Sequence, residues 1–208
     1  MRDFWKRNWQ LSPSWLSFLV VVLLALGIFF RFTNLDQKVY WKDEAFSSMR
    51  IAGYAKSDVF DEVFHGQVVG LAAVKKYQTF SPEKTVGDTI NSLAEENPEH
   101  PPAYYVLARL WARYFGDSIA AIRSFSAVLS LLVFPCAYWL GMELFEAVLP
   151  TWITLGLIAI SPFHVLYAQE AREYSLWTTT ILLSSAALLR AIRHRTALNW
   201  GIYAVSLA

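Results

Sequence analysis

Long apolar runs and one extended polar segment define the hydrophobic pattern of this chain. The first run predicts a membrane-spanning helix over residues 11–32, because a helix rises about 1.5 Å per residue and a hydrocarbon core is about 30 Å thick. Later runs predict further spans, with arginines at their ends reaching the interface. These spans cover residues 124–142, 147–169 and 174–192, with the start of another at 197–208. We therefore expect the chain to be the N-terminal part of a longer membrane domain.

The polar segment covers residues 33–101 and carries more acids than bases. It predicts a long outer loop that bears juxtamembrane helices. One helix is expected to begin near Asp43 and run towards Lys56, and another to begin at Ser81, where Ser, Pro and Glu follow one another. The apolar helix predicted over 102–115 is too short to need to cross, so we expect a surface or re-entrant helix.

Composition places the chain among membrane proteins, since 55% of its 208 residues are hydrophobic. The predicted fold class is all-α, a multi-pass transmembrane helical bundle. A net charge of +1 with scattered bases gives no signal for nucleic acid, which we exclude as a partner. The single cysteine, Cys136, lies in an apolar run and excludes an internal disulfide.

Basic residues near both ends of the sequence predict how the chain crosses the cell membrane. Arg2, Lys6 and Arg7 precede the first span, and a basic cluster occupies residues 190–195. Because such charges favour the cytoplasmic side, an even number of crossings is expected between the two. The N-terminus is then cytoplasmic, and the loop and the segment 169–174 lie on the outer face.

This topology brings three polar clusters to one face of the membrane, namely Asp43-Glu44, His100 and the segment 169–174. Ionisable groups at the rim of a bilayer are a candidate functional site, because unpaired charge there is costly. Each member also has a plainer interpretation. Local sequence favours Asp43 as a helix N-cap, while His100 can be a loop residue before a helix and Arg172 an interface anchor.

A series of short motifs follows the predicted spans in a fixed order. They are Asp43-Glu44, His100-Pro101-Pro102, Phe115-Gly116-Asp117-Ser118 with Arg123, Ser161-Pro162-Phe163, and Gln169-Glu170-Ala171-Arg172-Glu173-Tyr174. This order resembles the polyprenyl-phosphate-sugar-dependent glycosyltransferases of the GT-C fold, the group that contains protein O-mannosyltransferases and aminoarabinose transferases. The resemblance covers nearly the whole chain, although family members usually continue through several more spans.

The resemblance implies an enzyme that moves a sugar from a polyprenyl-phosphate carrier to a hydroxyl of a protein, lipid or glycan acceptor. Asp43 would be the catalytic base, since the first loop acid has that role in the family. Glu44 would position the acceptor or help bind a divalent cation. No nucleotide is needed, because the lipid phosphate is the leaving group.

Binding of the donor phosphate requires positive charge where negative charge develops. Arg172 is the main candidate because its guanidinium offers paired N–H donors, and His100 and Lys42 are secondary candidates. Gln169 and Tyr174 flank Arg172 around the same helix end, so they are the expected substrate-binding residues.

A transporter, flippase or non-catalytic membrane scaffold is the alternative class. Transporters place charged residues near the bilayer midplane, often on broken helices in repeated halves. In this sequence the charges lie at one rim and the interiors of the spans are nearly free of them, with His164 and Pro135 as the main exceptions. The rim placement favours the transferase.

Overall fold

The structure is a computed structural model, and it describes residues 14–207. Within these residues every regular element is a helix. In chain order the helices are α1 (Ser14–Phe32), α2 (Lys42–Ala52), α3 (Lys56–Val63), α4 (Leu71–Lys75) with a 3₁₀ turn (Lys76–Gln78), α5 (Val86–Glu96), α6 (Pro102–Phe115), α7 (Ile119–Leu131), α8 (Val133–Phe145), α9 (Val148–Ile160), α10 (Pro162–Ala168), α11 (Tyr174–His194) and α12 (Ala197–Leu207).

The described residues form two compact units. The membrane unit contains residues 14–33, 127–169 and 174–207, and the polar unit contains residues 34–126 and 170–173. The predicted loop therefore has a helical fold of its own, to which a short later segment of the chain contributes.

Three helical segments of the described chain are long and apolar enough to cross a membrane, namely Trp15–Phe32, Ile119–Phe145 and Tyr174–His194. The bent pair α9 and α10 makes a fourth if it counts as one span. These segments confirm an all-α protein with several candidate crossings. The span predicted over 124–142 begins earlier because the Ser118 hydroxyl accepts the Ala121 N–H at 3.2 Å and so caps the helix start.

Both ends of the described chain are helical. The first predicted span is described from Ser14 onward, and its residues 11–13 lie outside the described residues, as do the basic residues Arg2, Lys6 and Arg7. A helix, α12, begins at Ala197, where the sequence predicts the start of a further span.

The span predicted over 147–169 is bent by 57° just before Pro162. Proline has no N–H, so the last turn of α9 loses a helical hydrogen bond at this point. The Arg31 guanidinium donates to the carbonyls of Ala159 (2.9 Å) and Ile158 (3.3 Å) in that turn. Arg31 thus satisfies backbone groups at the break, as a helix inside a membrane requires.

Helix α2 differs at both ends from the helix predicted between Asp43 and Lys56. Its N-cap is Trp41, whose backbone N–H is accepted by the Glu44 carboxylate at 3.5 Å. The interpretation of Asp43 as the N-cap is wrong, because this residue lies inside the first turn. The helix ends at Gly53, whose φ of 88° lies in the left-handed region that glycine adopts without a steric penalty.

The helix predicted to begin at Ser81 instead begins after Thr85, so that predicted start is wrong. The Thr85 hydroxyl accepts the Asp88 N–H (3.3 Å), and the Asp88 carboxylate accepts the Thr85 N–H (2.6 Å). This reciprocal capping box satisfies the first free backbone donors of α5. Helix α6 runs from Pro102 to Phe115 as predicted and is not among the candidate spans.

Candidate active site

A buried ion pair joins Glu44 on α2 to Arg123 on α7. Both side chains are 0% exposed, and the guanidinium donates twice, from Nε to Oε1 (2.8 Å) and from Nη2 to Oε2 (2.7 Å). Such bidentate pairs are short and geometrically specific. Removing one partner would leave an uncompensated buried charge, so the pair fixes the start of α2 within the polar unit.

The same pair also anchors two irregular segments. Glu44 Oε1 accepts the N–H of Ala171 at 2.8 Å, which ties the segment 170–173 to α2. The Arg123 guanidinium donates to three carbonyls of the loop before α2 at 2.7, 2.9 and 2.9 Å, those of Leu35, Lys38 and Val39. Arg123 has no expected role of its own in the sequence motifs. The signal was present, because an arginine at the start of an apolar run needs a partner.

Glu44 has a structural position, and its predicted roles of positioning the acceptor or helping to bind a divalent cation stay predictions. Its two carboxylate oxygens are engaged by Arg123, and no part of the side chain is exposed. Among residues 14–207, no group of three or more His, Cys, Asp and Glu side chains could hold a metal ion. Within the protein, Glu44 acts as a positioning residue for α2 and the segment 170–173.

Asp43 has a different environment although it adjoins Glu44. Consecutive positions on a helix do not face the same way, and Asp43 lines a pocket of about 210 Å³ while Glu44 points into the interior. Asp43 is half-buried. Its carboxylate has no hydrogen-bond or ion-pair partner within the part of the chain that the structure describes. It is the acid of this pocket that can accept a proton from a ligand.

Four residues predicted from the sequence line this pocket together, namely Lys42, Asp43, His100 and Arg172. Three further lining residues bear on its chemistry and were missed, namely Arg50, Lys56 and Tyr105. The lining thus combines several cationic side chains with one carboxylate. Such a surface favours a ligand with negative charge.

Glu173 supplies a buried negative charge next to the His100 and Arg172 side chains of the pocket. It is 0% exposed, and its Oε1 lies 3.4 Å from Arg172 Nη2. The same oxygen lies 2.8 Å from His100 Nδ1, an ion-pair distance without the angle of a hydrogen bond. On the other side Arg172 Nη1 donates to the Ser47 hydroxyl at 3.4 Å. The guanidinium is therefore held between α2 and Glu173.

Tyr105 completes the group around Glu173. Its hydroxyl donates to Glu173 Oε2 at 3.1 Å. Burial, together with the neighbouring negative charge of Glu173, raises the pKa of Tyr105 above its ordinary value. The phenol therefore stays protonated at neutral pH and remains a hydrogen-bond donor.

Two lysines flank an aromatic ring in the pocket. The ammonium groups of Lys42 and Lys56 lie 5.8 and 5.2 Å from the centroid of the Phe46 ring. Neither ammonium forms an ion pair within residues 14–207, although the charge of Lys56 helps to lower the pKa of the exposed Glu99 carboxyl. Arg50, by contrast, is almost wholly buried and is engaged by the Glu96 carboxylate. An anionic ligand that enters the pocket can therefore form an ion pair with either lysine without breaking an existing ion pair.

Gln169 and Tyr174 belong to the membrane unit and do not line this pocket. The Gln169 amide donates to the carbonyls of Phe30 (2.6 Å) and Thr33 (2.9 Å). Tyr174 packs edge-on against Tyr167 with ring centroids 4.8 Å apart. Both side chains make structural contacts, and their substrate-binding role stays a prediction.

No protein-family model, curated protein or solved structure matches the chain. The chemistry of the pocket itself is therefore the guide to function. A half-buried carboxylate can accept a proton, and the surrounding cations can bind a phosphate and stabilise charge that develops on it. Proton abstraction coupled to departure of a phosphate is the chemistry that this arrangement fits.

Proposed function

We propose that this protein is an integral membrane glycosyltransferase that moves a sugar from a polyprenyl-phosphate carrier to an acceptor hydroxyl. The observation that carries the proposal is the pocket that Asp43 shares with Lys42, His100 and Arg172. The order of the sequence motifs, which resembles the GT-C enzymes, supports the same assignment. The acceptor is a protein, lipid or glycan, and the reaction takes place on the face of the membrane opposite the cytoplasm.

In the proposed reaction, Asp43 accepts the proton of the acceptor hydroxyl while the hydroxyl oxygen attacks the anomeric carbon. A positioned base of this kind contributes about 10²–10⁴-fold to the rate. The bond from the anomeric carbon to the phosphate oxygen breaks, and the lipid phosphate leaves with the added negative charge. Arg172, with Lys42 and His100, stabilises that charge through charge-assisted hydrogen bonds.

The test compares the purified protein with its Asp43→Asn variant in lipid nanodiscs. Asp43 lies in the first turn of α2, so loss of its charge should cost only about 0.3–1 kcal/mol of stability through the helix dipole. Sugar transfer from polyprenyl-phosphate donors should fall by about 10²–10⁴-fold, because the base is gone. Transfer is measured with radiolabelled sugar, and stability by thermal unfolding.

Asp61→Asn is the matched control, because Asp61 is an exposed acid on α3 that does not line the pocket. It should leave transfer unchanged. Near-normal transfer by Asp43→Asn would remove Asp43 from the mechanism. Absence of transfer by the wild-type protein from every polyprenyl-phosphate sugar offered would reject the proposed class of enzyme.

A transporter or flippase is a second candidate, and the broken span formed by α9 and α10 favours it. Helices interrupted within the membrane are common at transporter substrate sites. The two classes differ in their products. A transporter moves a labelled substrate across a liposome membrane and leaves it chemically unchanged, whereas a transferase forms a new glycosidic bond to the acceptor.

A further inference from the structure

The membrane unit contains a cavity whose lining is mostly aromatic and apolar, unlike the charged lining of the pocket around Asp43. Its volume is about 270 Å³, and four aromatic side chains dominate its lining, those of Phe163, Tyr167, Tyr174 and Trp177. A dry apolar cavity of about 150 Å³ takes one benzene molecule. The larger volume here suits a segment of a hydrocarbon chain rather than a complete lipid.

The cavity opens to the outer surface of the membrane unit. Phe163, Trp177 and Ile181 all line it, and their exposed fractions are 63%, 40% and 63%. Large apolar side chains that remain exposed on a spanning helix face lipid in a bilayer. A chain from the surrounding lipid can therefore enter the cavity without crossing a polar surface.

One buried charge also lines this cavity. Arg31 is 1% exposed, and its Nη1 donates to the carbonyls of Gly27 (2.7 Å) and Ala159 (2.9 Å). Its guanidinium also lies 5.0 Å from the centroid of the Phe134 ring. These partners are dipoles and a ring, and no carboxylate within residues 14–207 forms an ion pair with Arg31.

The Nε–H of Arg31 is buried and has no hydrogen-bond partner within the described residues. A buried cation without a counter-charge is expensive in a membrane and marks a candidate binding site. His164 lines the same cavity and adds a second polar group beside the aromatic walls. Because Arg31 lies in the last turn of α1, it stands near the height at which lipid headgroups begin.

We propose that this cavity binds one chain of a phospholipid, and that the headgroup phosphate of that lipid supplies the counter-charge of Arg31. The phosphate accepts the unpartnered Nε–H, and the aromatic walls contact the chain. A bilayer phospholipid is favoured over a long polyprenyl chain because the cavity holds only a short chain segment. The site is independent of the proposed transferase activity.

Photo-crosslinking tests this site in the whole protein, reconstituted in nanodiscs with a phosphatidylglycerol that carries a diazirine on one chain. Peptide mapping should find the label on α10 and the first turns of α11. Unlabelled phosphatidylglycerol should compete at about tenfold lower concentration than diacylglycerol of the same chains, since the charge-assisted hydrogen bond is lost in a lipid that has no phosphate. Equal competition by the two lipids would overturn the proposed headgroup contact.

Thr178→Phe fills the cavity from α11, and Thr180→Phe places the same ring on an exposed position of that helix outside the cavity. The first variant should reduce labelling of α10 at least about fivefold, and the second should leave it unchanged. Unchanged labelling of a folded Thr178→Phe protein would overturn the assignment to this cavity. Stronger competition by a polyprenyl phosphate than by phosphatidylglycerol would reject the phospholipid as the occupant.

Discussion

At the scale of single residues, the Asp43-Glu44 pair shows how neighbours in sequence acquire separate tasks. Glu44 forms a buried bidentate pair with Arg123, whereas the Asp43 carboxylate lines the pocket and has no hydrogen-bond or ion-pair partner among residues 14–207. The sequence indicates that two adjacent acids are present but not which one is neutralised. That division follows from the direction in which each side chain leaves α2 and from the position of Arg123.

Arg172 gives the first prediction at this scale. Arg172→Lys keeps the positive charge but removes the planar fork that can bind two phosphate oxygens at once. We expect the KM for a polyprenyl-phosphate sugar to rise about tenfold or more, because a charge-assisted hydrogen bond is lost. Donor titrations in the transfer assay measure this, with the exposed Arg113→Lys as control. Unchanged donor kinetics would reduce Arg172 to an interface anchor.

Glu96 gives a pH-dependent prediction. Burial acts to raise the pKa of Glu96, but the hydrogen bond and charge of Arg50, with the N–H groups of Lys56 and Ser57, outweigh it and hold the pKa below the ordinary 4.5. A depressed carboxyl pKa stabilises the folded state above the ordinary value, and this stabilisation is lost as pH falls through the folded-state pKa.

Glu96→Gln should therefore lower the apparent Tm at pH 7 by about 2–4 °C, and the gap to wild type should close at pH values below 4.5. Thermal unfolding across this pH range measures the difference. Glu95→Gln is the control, because Glu95 is the exposed neighbour on α5. A gap that persists unchanged in acid would show that Glu96 acts through packing rather than charge.

At the scale of elements, backbone chemistry explains why two helices end earlier than the apolar pattern predicts. Gly53 ends α2 short of the predicted limit at Lys56, and Pro162 divides one predicted span into α9 and α10. Both residues are visible in the sequence. The periodic pattern of apolar residues continues past both residues. That pattern reflects which side chains are buried, so it does not show where a backbone hydrogen bond is lost.

Gly27 gives a prediction about the packing of α1 on α9. A Cβ at this position would lie 2.4 Å from the Ala159 carbonyl oxygen, a backbone atom that cannot turn aside. Gly27→Ala should therefore lower the stability of the protein by about 1–3 kcal/mol through overpacking. The measurement is the apparent Tm in detergent.

Gly201→Ala is the matched control on α12, where an added Cβ meets nothing within 4 Å. It should be neutral, or stabilising by up to about 0.5–1 kcal/mol, because alanine loses less backbone entropy in a helix. If both variants unfold at the same temperature, the close approach of α1 and α9 is contradicted.

At the scale of the whole molecule, the distribution of basic residues predicts which side of the membrane each segment faces. The positive-inside rule predicts that the polar segment 33–101 lies outside and the basic cluster 190–195 inside. In a Cys136→Ala background, Glu83→Cys should react with an impermeant thiol reagent in intact cells, and His194→Cys only after permeabilisation. Both positions are exposed in the structure. The reverse labelling pattern would separate the sequence motifs from the proposed outer face.

The sequence by itself determined the membrane class, the helical periodicity of most segments and the existence of an ionisable cluster near Asp43, because hydrophobicity and residue type are local properties. It also indicated the limits of α6, where Pro102 and Gly116 are strong local signals. These features need no knowledge of which segments meet.

Only the tertiary structure decided which charges neutralise one another. Arg123 reaches Glu44 across 79 positions of the chain, and Glu173 stands behind His100 and Arg172 although it is distant from His100 in sequence. Lys56 is not part of the predicted site, but it lines the pocket. Helix α2 stops at its C-cap Gly53, and Lys56, the first residue of α3, lies beside the Phe46 ring. Pairing in a low-dielectric interior depends on distances of a few ångströms between segments, and those distances arise only when the helices pack.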